Sequence, residues 1–317
     1  MPFPLRRIPL LAIKEIIKSM DTRAIFFFSL VSKKSANFVM ISIPKYSLSA
    51  EFIFKENGFL FELMPKDYIK HEVDIIPVFP TTVGNHSLFT RFSFGGLYVN
   101  CEWTYFSEVE ESIRNLFYNY SRPFKNSKIN MKFEAGTKEE FAMEIMRFAW
   151  DNGFPLDNIG FRVKNASPES IQELLNRCNE QHMSLHIGTQ IPMGFKCTPP
   201  PGGYKFKSLS VNYAHWVNLD DFLQCRKVIF TTGFPDLTVE YLNDLLKKIV
   251  DVECRLQSFL FQLKSINPTD FTEIVEGLSE SEIEQGEDWQ ELEFERKDGL
   301  KLLISLSNGY LDLEDDY

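Results

Sequence analysis

Cysteine and histidine are both scarce. The five cysteines, at positions 101, 178, 197, 225 and 254, form no CxxC pair and no regular framework. That excludes a disulfide-stapled module, and an odd, scattered set reads as reduced intracellular thiols. Of the five histidines, only His182 and His186 stand at i, i+4, a spacing that can present two ligands on one helical face. The residues between them supply no HExxH glutamate, so no metal is expected there. His71, His86 and His215 have no partners nearby in sequence. No GxGxxG, phosphate-loop or GxSxG pattern occurs. The expectation is a chain with no catalytic residues, no metal and no cofactor.

Long apolar runs are absent too. Residues 8–13 follow Arg6-Arg7, but the run stops at Lys14-Glu15 without a small-residue cleavage site. Residues 24–31 fall well short of the ~20 apolar residues that a bilayer crossing needs. No membrane association is expected, and the location read from this is cytoplasmic or nuclear. Three Asn-x-Ser triplets, at 85, 119 and 165, then carry no meaning as glycosylation sites.

Charge is present but unevenly spread. The net value is −10 over 317 residues. Residues 1–45 carry eight Lys/Arg against two Asp/Glu, whereas residues 269–317 carry three against sixteen. A basic head can steer onto an acidic protein. An acidic tail argues against nucleic acid as the main ligand, because phosphates need a cationic face. Apolar content of 44% and charged content of 25% belong to a folded chain of about two domains.

The head is helical by pattern. Ile13, Ile16, Ile17 and Met20 form one apolar stripe at i, i+3, i+4 and i+7. Asp21 or Thr22 can cap a second helix, in which Ile25 to Val31 leave almost no polar face. Ser32 can cap a third, closed by Pro44. A helix apolar all round must be covered all round, and about forty residues cannot do that alone. The rest of the chain or another protein must supply the cover.

Downstream the rhythm alternates. Residues 47–54 and 59–64 read as a hairpin turning at Glu56-Asn57-Gly58, with positive φ expected at the Asn-Gly pair. A Pro-containing stretch follows, then a second extended pair at 87–94 and 98–106, and a helix over 108–120. From residue 128 short strands alternate with return segments in units of about 18 to 31 residues, the pattern of parallel strands joined by crossovers. Their stacking resembles an irregular leucine-rich-repeat-like β/α array. Residues 289–314 read as an antiparallel meander turning at Asp298-Gly299 and Asn308-Gly309. The expected fold is α/β: three helices, then the array, with antiparallel strand segments at both ends. The expected divisions are residues 1–45, 46–127 and 128–317. Trp216 and Cys225 read as core residues, and Asp220-Asp221 as the start of a helical turn.

Two stretches resemble known families. Ile8-Pro9, Ile16-Ile17, Met20-Asp21, Ile25 and the run Ser29-Leu30-Val31-Ser32-Lys33-Lys34 resemble an F-box over residues 4–43. Ser32 stands where many members have Cys, and Phe38 is the nearest large aromatic after the lysine pair. Ser208 to Asn212, Trp216, Leu219 to Leu223, Cys225, Val228-Ile229, Leu237-Thr238, Leu242-Asn243, Leu245 to Lys247 and Leu256 look like a type 2 F-box-associated domain, at about 184–263, of the nematode-type F-box B family. The resemblance implies a substrate-recognition subunit of a cullin-type ubiquitin ligase. Its helices would dock on a Skp-family adaptor, and through it on cullin, while the remainder grips a target protein. By motif position the docking unit comprises Ile8, Pro9, Ile13, Ile16, Ile17, Met20, Ile25, Phe28, Leu30 and Val31. Two other readings stay open: a repeat-type binding scaffold without a ligase role, and an α/β enzyme with an unrecognised site.

Overall fold

The computed structural model describes residues 8–66, 74–75, 79–83, 86–95, 98–104, 110–279, 281–286 and 288–315. The chain forms two compact units, Met1–Val163 and Lys164–Tyr317. The changes of rhythm near residues 45 and 127 both lie inside the first. Three N-terminal helices are followed by extensive mixed sheet.

The first unit opens with α1 (Leu10–Lys18), α2 (Thr22–Val31) and α3 (Lys33–Ser42). Their starts obey the local chemistry. Asp21 Oδ1 accepts from the Ala24 N–H at 2.7 Å, and Ser32 Oγ from the Ser35 N–H at 3.1 Å, each satisfying a backbone donor the helix cannot use. Then come β1 (Leu48–Lys55), β2 (Gly58–Pro65), β3 (Asp74–Ile75), β4 (Phe79–Val83), β5 (His86–Gly95), β6 (Tyr98–Thr104), α4 (Glu110–Ser121), β7 (Lys128–Phe133), α5 (Glu139–Asp151) and β8 (Leu156–Phe161). The sheet runs β8-β7-β1-β2-β6-β5-β3, with β4 also paired to β5. Strands β8, β7 and β1 are parallel, and the pairings from β1 onward through β2, β6 and β5 are antiparallel.

The β1–β2 hairpin forms, but not through the expected backbone. Lys55 pairs with Gly58, so the loop is Glu56-Asn57. Neither loop residue adopts positive φ. Gly136 closes over this turn instead: a Cβ there would lie 2.1 Å from the Glu56 Cβ.

An aromatic core holds the unit. Phe52, Phe54, Phe59, Phe61, Phe117 and Phe133 are buried, with Phe54 stacked on Phe133 at 4.8 Å and Phe52 edge-on to Phe117 at 5.0 Å. Such pairs add about 0.5–1.5 kcal/mol each beyond the area they bury.

The second unit contains α6 (Pro168–Arg177), β9 (Ser184–Ile187), β10 (Ser208–Val211), a 3-10 turn at Leu219–Phe222, β11 (Lys227–Phe230), α7 (Val239–Val250), β12 (Ser258–Gln262), α8 (Phe271–Ile274), β13 (Glu284–Gln285), β14 (Trp289–Glu295), β15 (Lys301–Ser307) and β16 (Tyr310–Asp315). Strands β9 to β12 are parallel neighbours in chain order. The C-terminal meander continues that sheet, because β16 pairs antiparallel with β12. Asn308 (φ 49°) and Gly309 (φ 76°) make the expected left-handed hairpin turn. Each parallel strand buries alternate residues, such as Leu209 and Val211 or Val228 and Phe230, and leaves the others half exposed. Asp220 and Asp221 stand in the first turn of the 3-10 helix, as expected, but neither caps it. Asn218 precedes it without a side-chain bond, and Asp220 accepts from the Tyr241 hydroxyl at 2.8 Å. Trp216 and Cys225 are buried as expected.

Candidate protein-docking site

Helices α1 to α3 divide their apolar residues between two directions. Ile13 and Ile17 of α1, Ile25 and Phe26 of α2 and Val39 of α3 are buried. Phe26 anchors the group to the unit's own core. Its ring stacks on Phe61 of β2 at 5.9 Å and on Tyr120 of α4 at 5.8 Å. Burial pushes the Tyr120 phenol up, consistent with a dry contact. The exit of α3 is clamped as well: Asn126 Nδ2 donates to the Met40 carbonyl at 2.7 Å, and the Tyr46 N–H donates to the Asn126 carbonyl at 2.8 Å.

Other apolar residues of these helices are exposed. On α2, Phe27, Leu30 and Val31 fall at i, i+3 and i+4, one face of the helix. They are 39%, 42% and 74% exposed. On α1, Leu10, Leu11 and Ile16 are exposed, Leu11 at 72%. Isolated exposed leucines are ordinary in any protein, but several large apolar side chains on two adjoining short helices are not. The Arg23 guanidinium lies 6.0 Å from the Phe27 ring centroid, so cationic charge borders the apolar face.

The motif-derived residues therefore separate. Ile13, Ile17 and Ile25 point inward; Ile8, Met20 and Phe28 are half buried; Pro9, Ile16, Leu30 and Val31 are exposed. Leu10, Leu11 and Phe27, outside the motif set, join the exposed group. Part of that signal was available. On α1, Leu11 lies off the stripe of Ile13, Ile17 and Met20; α2, apolar nearly all round, offers no such stripe to read Phe27 against. A second apolar feature lies nearby: a cleft of about 350 Å³ lined by Ile17, Met20, Ile25, Ile43, Leu48 and Pro65 among others.

The histidine pair does not share a helical face. His182 Nδ1 sits in a turn 3.3 Å from Glu180, and His186 lies on β9 with Nδ1 3.0 Å from Ser210 Oγ. Among the described residues no cluster of three or more His, Cys, Asp or Glu is placed to hold a metal. The Cys197 and Cys225 thiols are each pushed up to about 12, chiefly by burial, so neither is a thiolate near neutral pH.

The family model for the F-box domain matches residues 5–46. These helices are an F-box. F-box proteins are in general non-catalytic adaptors of ubiquitin ligases, and F-box domains typically bind Skp-family adaptors. No curated protein and no solved structure matches the chain. Among the described residues no helix is long and apolar enough to cross a membrane. In this F-box Leu11 of α1 and Leu30 and Val31 of α2 are exposed, while Phe26 packs against β2 of the sheet.

Proposed function

We propose that this protein is the substrate-recognition subunit of a cullin-type, SCF-like ubiquitin ligase. One observation supports the reading: the F-box helices bury Phe26 against their own chain, while Leu11, Leu30 and Val31 stand exposed. A Skp-family adaptor covers these, and cullin joins through the adaptor. Covering one large apolar side chain contributes roughly 1.5–3 kcal/mol, so a few such anchors suffice for a stable complex. The strands beyond residue 46 hold the target protein, with the type 2 F-box-associated pattern at about 184–263 and the β/α array as a leucine-rich-repeat-like scaffold. Parallel β9 to β12, each with a half-exposed row of side chains, support that geometry. The contribution to rate is positional, raising the local concentration of target lysines beside a charged conjugating enzyme. The complex works in cytoplasm or nucleus.

The test is co-elution of the full-length chain with a purified Skp-family adaptor. The wild-type chain elutes in complex, and Val31→Asp weakens the complex while leaving the melting temperature unchanged. An adaptor that ignores the wild-type chain, or that binds Val31→Asp equally well, sinks the proposal.

A further inference from the structure

The C-terminal strands of the second unit bury one side of their sheet and leave the other accessible. Leu292 and Phe294 of β14, Leu302 and Ile304 of β15, and Leu311 and Leu313 of β16 are buried. Successive side chains on a strand point to opposite faces, so the residues between these share the accessible face. There the register sets Glu291, Ser305, Asp312, Leu260 and Ile229 in one row across β14, β15, β16, β12 and β11. A second row holds Glu293, Leu303 and Glu314, and a third holds Trp289, Ser307, Tyr310 and Gln262. Trp289 is 40% and Leu303 36% exposed, and Ile229, Leu260 and Tyr310 are half buried. The face is an apolar and aromatic floor crossed by carboxylates.

The charges on this face do not cancel. Glu291, Glu293, Glu295, Asp312 and Glu314 stand against Lys227 and Lys301, a net charge of −3. Lys301 donates to Glu293 at 3.1 Å, whereas among the described residues neither Asp312 nor Glu314 forms an ion pair. Asp312 is half buried and paired in register with Leu260. Burial pushes its carboxyl up, the charge of Glu314 on the same strand adds to that push, and Lys227 opposes it through space. A carboxylate kept only for solubility would stand in water. This one is set beside leucine and a like charge, a placement that costs stability until a cation arrives. Trp and Tyr, both present on the floor, are the residue types most enriched among those that carry binding energy.

We propose that this sheet face docks a segment of the target protein that carries arginine or lysine on both sides of an apolar anchor. The assignment rests on the ligase reading for the partner's being a target, and on the face alone for the partner's chemistry. Leu303 is flanked in its row by Glu293 and Glu314, each one strand spacing of about 5 Å away. An apolar side chain seated on Leu303 therefore brings its neighbours over carboxylates on either side. A cation over β16 answers Asp312 and Glu314 together and removes their mutual repulsion. An acidic segment meets like charge there and is rejected.

The probe is rhodamine-labelled Arg-Leu-Arg-Leu-Arg-amide, followed by fluorescence anisotropy as full-length chain is added at constant ionic strength. The same peptide with glutamate in place of arginine, and with glycine in place of leucine, serves as comparison. The arginine–leucine peptide binds, and both comparison peptides bind at least about fivefold more weakly. Leu303→Ser and Asp312→Asn each weaken binding at least about fivefold, with the melting temperature retained in the first and retained or raised in the second. Glu240→Gln removes one exposed charge from α7 and leaves binding unchanged, which separates this face from net charge. No binding by the wild-type chain, binding unchanged in either Leu303→Ser or Asp312→Asn, equal loss in Glu240→Gln, or equal binding of the glycine peptide overturns the proposal. A concentration-dependent dimer of the wild-type chain that Leu303→Ser dissolves overturns the target as occupant and assigns the face to a second copy. Adaptor capture by Leu303→Ser is expected to stay normal, and peptide binding by Val31→Asp to stay normal, so failure of one end is distinguishable from failure of the other.

Discussion

Replacing Phe26 by alanine removes the ring that joins the F-box to the first unit. Phe26 is fully buried and sits between Phe61 of β2 and Tyr120 of α4, with Phe27 edge-on at 5.4 Å. Buried Phe→Ala changes cost about 3–5 kcal/mol, combining lost transfer energy with the cavity left behind. For a unit of this size each kcal/mol lowers the melting temperature by about 2–4 °C, so the expected drop is about 6–20 °C. Val31→Ala is the control. At 74% exposure it has little packing to lose and should cost less than about 0.5 kcal/mol. The assay is urea unfolding of the full-length chain followed by far-ultraviolet circular dichroism and by intrinsic fluorescence, to which all four tryptophans contribute, among them Trp103 beside Tyr120 at 5.0 Å. A Phe26→Ala loss below about 1 kcal/mol would refute the reasoning. It would mean that α1 to α3 hang on the sheet without energetic coupling, and that the apparent anchor contributes no more than the exposed face.

Asp21→Ala removes the acceptor for the Ala24 N–H and should cost about 1 kcal/mol, seen as a shift in urea midpoint with unchanged slope. Gly136→Ala drives a Cβ into Glu56, requires the β1–β2 turn to move, and should cost about 1–3 kcal/mol; a neutral result would show that the turn yields freely. Asp312 has its carboxyl raised, first by burial and then by the charge of Glu314, against a lowering from Lys227. A raised carboxyl binds its proton more tightly when folded, so stability falls as pH rises from the unfolded value through the folded one. Asp312→Asn should therefore raise the urea midpoint at pH 7, and the gain should vanish below the unfolded aspartate value. Cys197 and Cys225, with thiols pushed up to about 12, should alkylate slowly at pH 8 in the native chain and rapidly in urea.

Local chemistry was legible where one residue decides it. Asp21 and Ser32 cap α2 and α3 as their side chains allow, and Asn308-Gly309 turns the last hairpin. Glu56-Asn57-Gly58 shows the limit. The hairpin was readable from alternation on either side, but its loop conformation follows from pairing Lys55 with Gly58 and from the approach of Gly136, some eighty residues away. Short segments escaped for a similar reason. Strands β3, β4 and β13 are held by pairing with β5 or β14, and their few residues carry no period of their own. At the docking site, periodicity located the helices but not the division of their faces. Ile13, Ile17 and Ile25 were grouped with Leu30 and Val31 by motif position, and only the position of Phe26 against Phe61 and Tyr120 tells inner from outer. The cleft lined by Arg226, Arg255 and Arg296 had no local signature, since those positions are brought together by the strand order β11, β12, β16, β15, β14.

How the F-box is attached bears on what a substrate receptor must do. A docking module on a flexible linker would hold its target near the conjugating enzyme but sample many orientations, and the effective concentration would fall with linker length. Here α3 runs into β1 through Ile43 and Pro44, Asn126 bonds on both sides of that junction, and Phe26 inserts behind β2. The link between the F-box helices and the first unit's sheet is therefore a packed core and not a tether. In the proposed role, rigidity of that kind lowers the entropy lost when a target lysine meets the enzyme. It also predicts how that advantage is lost. Lengthening the Pro44–Ser47 segment by a flexible Gly-Ser insert should leave adaptor capture intact, because the open faces of α1 and α2 are untouched, yet slow ubiquitin transfer to a bound target. Unchanged transfer would show that tethering alone suffices and that the buried side of the F-box serves stability only.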